Sequence, residues 1–324
     1  MLLKDEVQKL DEFAEGVIED IAAWLMDADK GAGKLTARVL ANRLWYLLFG
    51  QGLAPDLTDF GGQGQPPEHP ELLDNLSISL LEKNWRIKAL LKEIVLSRSY
   101  RQASSATNGK ISFQTPQRLP AEAIRDNALA ISGLLSTKMH GPPIYPPQPS
   151  GIWRHVGRNA PKYIAATNED RFRRGVYVVW RRGAPYVSFM NFDAPDRGSC
   201  VVRRPRTNTP LQALTLLNDE AYVEMAMAFA GRILTEAKGT PEAKISYAYK
   251  TALGRAPRAA ETIFLKKLLL KRRTHFEKNP KEAALLISGA KGWKPPEGMD
   301  KGDLAAWFFI ANILLNLDET ITKS

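Results

Sequence analysis

The stretch Thr209-Pro-Leu-Gln-Ala-Leu-Thr-Leu-Leu-Asn-Asp-Glu-Ala-Tyr-Val-Glu-Met-Ala-Met-Ala-Phe-Ala-Gly-Arg-Ile-Leu-Thr-Glu236 decides the fold class. Thr209 can cap a helix, and Pro210 at the first position loses nothing by lacking an N–H. Gln212 at the third position can reach back to the cap, so the four residues form a capping box. The spacing predicts a helix over 210–236. Working outward, Pro241 and Pro257 open helices expected at 241–253 and 257–273, and another is expected at 303–317. Lys271, Arg272 and Arg273 then suit the negative end of a helix.

Toward the N-terminus, apolar residues recur at three- and four-residue steps. They predict helices over 12–26 (Phe13, Val17, Ile21, Trp24 or Leu25), 36–49, 70–82, 87–97 and 120–135. Thr36 is the expected cap of the second, with Val39, Leu40, Leu44, Leu47 and Leu48 as its buried stripe. Val176-Tyr-Val-Val-Trp180 is the best strand, being β-branched and aromatic. Residues 141–149 carry five prolines and are expected to lie extended on the surface. The fold class is therefore mainly α and multi-helical, with one small β element around residues 174–182. A linker at 99–116 or at 136–160 divides the chain in this reading, giving an N-terminal helical lobe over 1–110 and a C-terminal helical lobe over 111–324, or else one continuous domain.

Composition bounds the function. In 324 residues there is no apolar run long enough to cross a bilayer, and Met1 to Leu10 does not read as a secretory signal peptide. A single cysteine, Cys200, rules out an internal disulfide, cysteine-rich zinc sites and C-x-x-C-H haem attachment. No cofactor or metal is expected in this chain. Net charge is +10, and its distribution is uneven. Arg171 to Arg206 holds nine arginines, no lysine and two acids, Asp193 and Asp196. Guanidinium grips carboxylate, phosphate or sulfate with two parallel bonds, which ammonium cannot do. The plain alternative is that these arginines pair with carboxylates elsewhere in the fold.

Arg203, Arg204 and Arg206 directly precede the helix at Pro210, whose end exposes unpaired N–H groups. An anion is expected there, held by Arg174, Arg181, Arg182, Arg203, Arg204 and Arg206 with Thr207 and Asn208. Other motifs reduce to structural readings. Cys200 lacks an assignable base and reads as a buried structural thiol. Gly31-Ala-Gly-Lys34 lacks phosphate-loop spacing and reads as a helix-ending turn. Glu68, His69 and Glu71 have no second cluster to complete a metal site. Asp193 and Asp196 could act as an acid–base pair, as could Glu122, but ion pairing with arginine is simpler. The basic patch is too short, and its aromatics Tyr177 and Trp180 too much like β-core residues, for single-stranded nucleic acid.

Several segments together resemble one family. They are Leu35 to Trp45, Asp59-Phe-Gly61, Pro67 to Asp74, Ser97 to Gln102, Ala121 to Asp126, Pro146 to Trp153 and Arg173 to Tyr177. To these are added the long Phe192-Asp-Ala-Pro-Asp-Arg-Gly-Ser-Cys-Val-Val-Arg-Arg-Pro-Arg-Thr-Asn-Thr-Pro-Leu-Gln-Ala-Leu-Thr-Leu-Leu-Asn218 and Asn316 to Thr320. This pattern resembles the planctomycete-specific secreted domain, a domain of unknown function. The resemblance implies an extracytoplasmic (periplasmic or secreted) protein. It also implies a companion family domain and a cytochrome c module as partners, with haem c on a separate domain, and a setting of acidic or sulfated polysaccharides. It supplies no catalytic residues. Three readings stand: a module binding an anionic polysaccharide, a carbohydrate-active enzyme linked to a cytochrome c partner, and a structural scaffold for companion domains.

Overall fold

The computed structural model describes residues 15–60, 63–102, 116–155 and 162–323. The chain divides into two compact units with the boundary between Gln117 and Arg118. The mainly helical class holds. Among the described residues no helix is long and apolar enough to cross a membrane.

The first unit contains a helical segment over 15–26, then α1 (Gly33–Phe49), α2 (Pro70–Glu82) and α3 (Ile87–Leu96). Its core joins Ala37, Ala41, Leu44, Trp45 and Phe49 of α1 to Leu73, Leu76 and Leu80 of α2 and Leu90 and Ile94 of α3. The expected stripe on α1 is therefore corrected. Val39 and Leu47 are exposed, because the small Ala37 and Ala41 let α2 approach closely on the other side. Thr36 is not the cap either. The helix begins at Gly33, inside the segment read as a helix-ending turn, and the Thr36 hydroxyl donates back to the Ala32 carbonyl at 3.2 Å. Buried Asn42 clamps the following loop, with Nδ2 donating to Ala54 O at 3.1 Å and Oδ1 accepting Ala54 N–H at 3.0 Å. Gly50, at φ 85°, makes the left-handed turn that ends α1.

The second unit begins and ends at a two-stranded sheet, β1 (Gln117–Arg118) with β2 (Thr322–Lys323). Its helices are α4 (Ala121–Ser132), α5 (Val187–Asn191), α6 (Pro210–Asn218), α7 (Glu220–Glu236), α8 (Pro241–Leu253), α9 (Ala259–Lys278), α10 (Pro280–Ser288), α11 (Lys301–Leu315) and α12 (Asp318–Ile321). α11 is the axis: Leu304, Ala305, Ala306, Trp307, Ile310, Ala311 and Leu314 are all fully buried, so it is covered on every side. α7 lies along it and buries Met225 to Ala230 and Ile233. Each large side chain so buried stabilises the fold by about 1.5–3 kcal/mol. At Gly231 a Cβ would fall 2.5 Å from the Trp293 ring, so the glycine admits that indole against α7.

Several helix boundaries differ from expectation, two of them with consequences for charged residues. The single helix over 210–236 is broken at Asp219, which is extended (φ −64°, ψ 135°) and caps α7 by accepting Ala221 N–H at 2.9 Å. Aspartate favours such caps over helix interiors because its carboxylate competes for backbone N–H groups. α9 runs on to Lys278, so Lys271 to Arg273 lie inside it rather than at its end. There Arg273 pairs with Asp303 at 2.7 Å, and Arg272 stacks on Phe309.

The β element around 174–182 is a short 3₁₀ turn (Gly175–Tyr177) between two isolated bridges, Ser136 with Arg173 and Ile144 with Val178. Pairing of Val176 to Trp180 is confined to Ile144, whose N–H donates to Tyr177 O at 2.8 Å and whose carbonyl accepts Val179 N–H at 2.9 Å, while the backbone just before Val176 is held by side chains. Arg125 donates to the carbonyls of Arg173 at 2.6 Å and Arg171 at 2.8 Å, and Asp126 accepts Gly175 N–H at 2.6 Å. The proline-rich 141–149 is extended as expected, but Ile144, Pro146 and Pro147 are buried by this pairing.

Candidate functional site

The nine arginines of 171–206 separate into three groups by what they touch. Arg171 and Arg173 are buried and serve the fold. Arg171 Nε meets Glu224 Oε2 at 2.8 Å and its Nη1 donates to Ala166 O at 3.1 Å. Burial pushes the Glu224 carboxyl up, and Arg171 opposes the shift. Arg173 donates to the carbonyls of His140 and Pro142 and lies 4.2 Å from the Tyr177 ring centre. Neither guanidinium lies on the outer surface, so neither serves an anion bound there.

The second group is neutralised within the chain. Arg204 pairs with Glu122 at 2.8 Å, and Arg174 with Asp126 at 3.5 Å. The end of α6 has its own internal anion. Asp193 pairs with Arg118, while Thr207 donates its N–H to Asp193 Oδ2 at 2.8 Å and its hydroxyl to Oδ1 at 2.9 Å. Gln212 Nε2 in turn donates to Thr207 Oγ1 at 3.0 Å, and the capping box of Thr209 and Gln212 is formed. Asp193 adopts φ 60°, a left-handed conformation that aspartate tolerates better than most residues. Burial lowers the Arg118 pKa, and Asp193 counters it.

The third group is Arg181, Arg182, Arg197, Arg203 and Arg206, all exposed except the half-buried Arg181. Thr207 and Asn208 are exposed as well. Arg181 stacks over Trp153 at 4.9 Å from the ring centre, and Arg197 over Trp180 at 4.6 Å. Trp180 is pinned in turn, its Nε1 donating to Asp196 O at 3.2 Å. Asp196 Oδ1 accepts Gly198 N–H at 2.8 Å and shapes a turn. Within 196–208 four arginines accompany one aspartate, and Glu122 reaches only Arg204. The segment thus keeps a positive, guanidinium-rich surface after its internal pairs are made.

Cys200 corrects the expectation of burial. It is exposed, because 194–208 is irregular chain with its valines, Val201 and Val202, also at the surface. Among the described residues no group of three or more histidines, cysteines or acids is placed to hold a metal ion. The structure also adds residues that the sequence did not mark. Arg118 holds Asp193, and Trp153 and Trp180 form the platforms beneath Arg181 and Arg197. Sequence gives no sign of such stacking, since each pair joins positions separated by 16 residues or more.

Fold and surface together define a mainly helical protein with an arginine-rich face on its second unit. The chain belongs to the family described as PSD1, protein of unknown function (DUF1553), which matches residues 19–269. No curated protein and no solved structure matches the chain.

Proposed function

We propose that this protein is a binding module for an anionic ligand, an acidic or sulfated polysaccharide, taken up on the outward arginines of 181–206. The observation that supports this reading is the sorting of the arginines. Internal carboxylates hold Arg171, Arg174 and Arg204, while Arg182 and Arg203 lie at the surface. Stacking of the exposed Arg197 on Trp180 fixes a further guanidinium plane, which lowers the entropy lost when it grips sulfate or carboxylate. Asp193 and Glu122 are each held by an arginine, which favours binding over acid–base catalysis. The resemblance to planctomycete-specific secreted domains extends the proposal. The module works outside the cytoplasm beside a companion domain and a cytochrome c module that carries the haem.

The test is titration calorimetry with heparin, polygalacturonate and neutral dextran. The acidic polymers bind, dextran does not, and affinity falls steeply from low salt to physiological salt because the contacts are screened. The triple variant R182Q/R203Q/R206Q weakens binding by about tenfold or more, corresponding to about 1.4 kcal/mol. Equal binding of dextran, or an unchanged affinity in the triple variant, rejects the proposal.

A further inference from the structure

A second site lies away from the arginine face, in a pocket of about 460 Å³. One wall is the Pro147-Gln-Pro-Ser150 loop, and Ala165 and Thr167 continue it. Arg171, Glu220 in the first turn of α7, Lys291 and Gly292 complete the lining. Its charges are balanced in place: Arg171 sits on Glu224 at 2.8 Å, and Lys291 on Glu220 at 3.4 Å. An anion therefore gains no excess positive charge here, unlike on the outer face.

What the pocket leaves over is one donor and one acceptor. Arg171 is 5% exposed, and its Nη2 makes no hydrogen bond, with only Glu220 Oε1 nearby at 3.5 Å. Gln148 Oε1 likewise has no hydrogen-bond partner. Buried polar atoms are ordinarily satisfied, and those that are not need an explanation. A hydroxyl suits either atom, since it can accept from the guanidinium or donate to the amide oxygen. Ser150 and Thr167 add two groups that work in either direction, and Pro147, Pro149 and Ala165 offer apolar surface for C–H faces. Gln148 is half-buried, so its amide is the group that turns as a ligand enters. The guanidinium is held in advance by Glu224 and Ala166 O. Gly292 locks that arrangement, because a Cβ there would fall 2.1 Å from Glu224 Oε1 and 2.4 Å from Arg171 Nε.

We infer that this pocket binds a neutral, hydroxyl-rich ligand the size of one or two sugar rings. Saturation-transfer NMR and calorimetry on the full chain test it with glucose, galactose, maltose and lactose, against glucuronate and glycine. At least one neutral sugar binds with one-to-one stoichiometry, and about 0.5 M salt leaves its affinity unchanged because no net charge is neutralised. T167V and E220Q, both at partly exposed positions, keep the wild-type melting temperature and weaken the sugar by about tenfold or more. R182Q/R203Q/R206Q leaves it untouched, so failure here and failure of the arginine face are separable. The inference is overturned if no neutral sugar binds at tens of millimolar, or if T167V and E220Q bind like wild type. Preference for glucuronate that salt abolishes, or for glycine, overturns it as well.

Discussion

Asp193 Oδ2 accepts the backbone N–H of Thr207 at 2.8 Å, and its Oδ1 accepts the Thr207 hydroxyl at 2.9 Å. The same carboxylate pairs with Arg118, and Thr207 is tied to Gln212 in the first turn of α6. One acidic side chain thus fastens the start of the second unit, the arginine segment and a helix end to each other. It does so as a resident counter-ion, 14% exposed.

Removing that charge tests the knot. D193N keeps the shape and the tolerance for positive φ but leaves the Arg118 guanidinium, 12% exposed, without its carboxylate. Stability falls by about 2–3 kcal/mol, read from the urea midpoint. D193A loses the conformational tolerance too and falls further by about 1 kcal/mol. An unchanged midpoint in D193N means that Asp193 fastens nothing.

Asp219 gives the fold a pH dependence of known sign. Burial pushes its carboxyl up to about 6 from an ordinary 3.8, against the Ala221 N–H that favours the charged form. The folded state therefore takes up the proton before the unfolded chain does. Stability contributed by this group is lost as pH rises through that window, about 2–3 kcal/mol in all. D219N retains the cap and carries no charge. At pH 8 it melts above wild type, and the difference shrinks as pH falls toward 4. A difference in melting temperature that does not vary with pH contradicts this account.

The pair of Arg171 and Glu224 lies almost wholly inside the protein, at 5% and 2% exposure. R171M strands a buried carboxylate and costs about 3–5 kcal/mol. In R171M/E224L both charges are gone, and the double variant is more stable than R171M alone. Chemical denaturation of the four proteins of the cycle measures the coupling. Simple additivity means that the pair does not act as a unit.

Cys200 is exposed, so native protein reacts with one equivalent of a thiol reagent without denaturant. C200S leaves the melting temperature unchanged, as expected for a surface position. A thiol that reacts only after unfolding places Cys200 in the interior instead.

Much of this architecture was written locally. Proline at the first turn of α2, α6 and α8, and the Thr209–Gln212 box, depend on residues three or four apart. Such signals survive without any tertiary partner, so helix starts and the mainly helical class were legible. The excess of arginine over 171–206 was equally plain. The break at Asp219 was less so, because a long apolar period hides one capping residue.

Tertiary structure alone decided which arginine does what. Arg171 and Arg203 stand in one basic segment and look alike in sequence. One is buried against Glu224, 53 positions away, and the other is at the surface. The fate of Val176 to Trp180 was settled in the same way: Arg125 and Asp126 hold the backbone of Arg171, Arg173 and Gly175 just before it, and Ile144 pairs with Tyr177 and Val179. Periodicity records which face of an element is apolar. It holds no record of which charged side chain, brought from far along the chain, will reach a given guanidinium or carbonyl first.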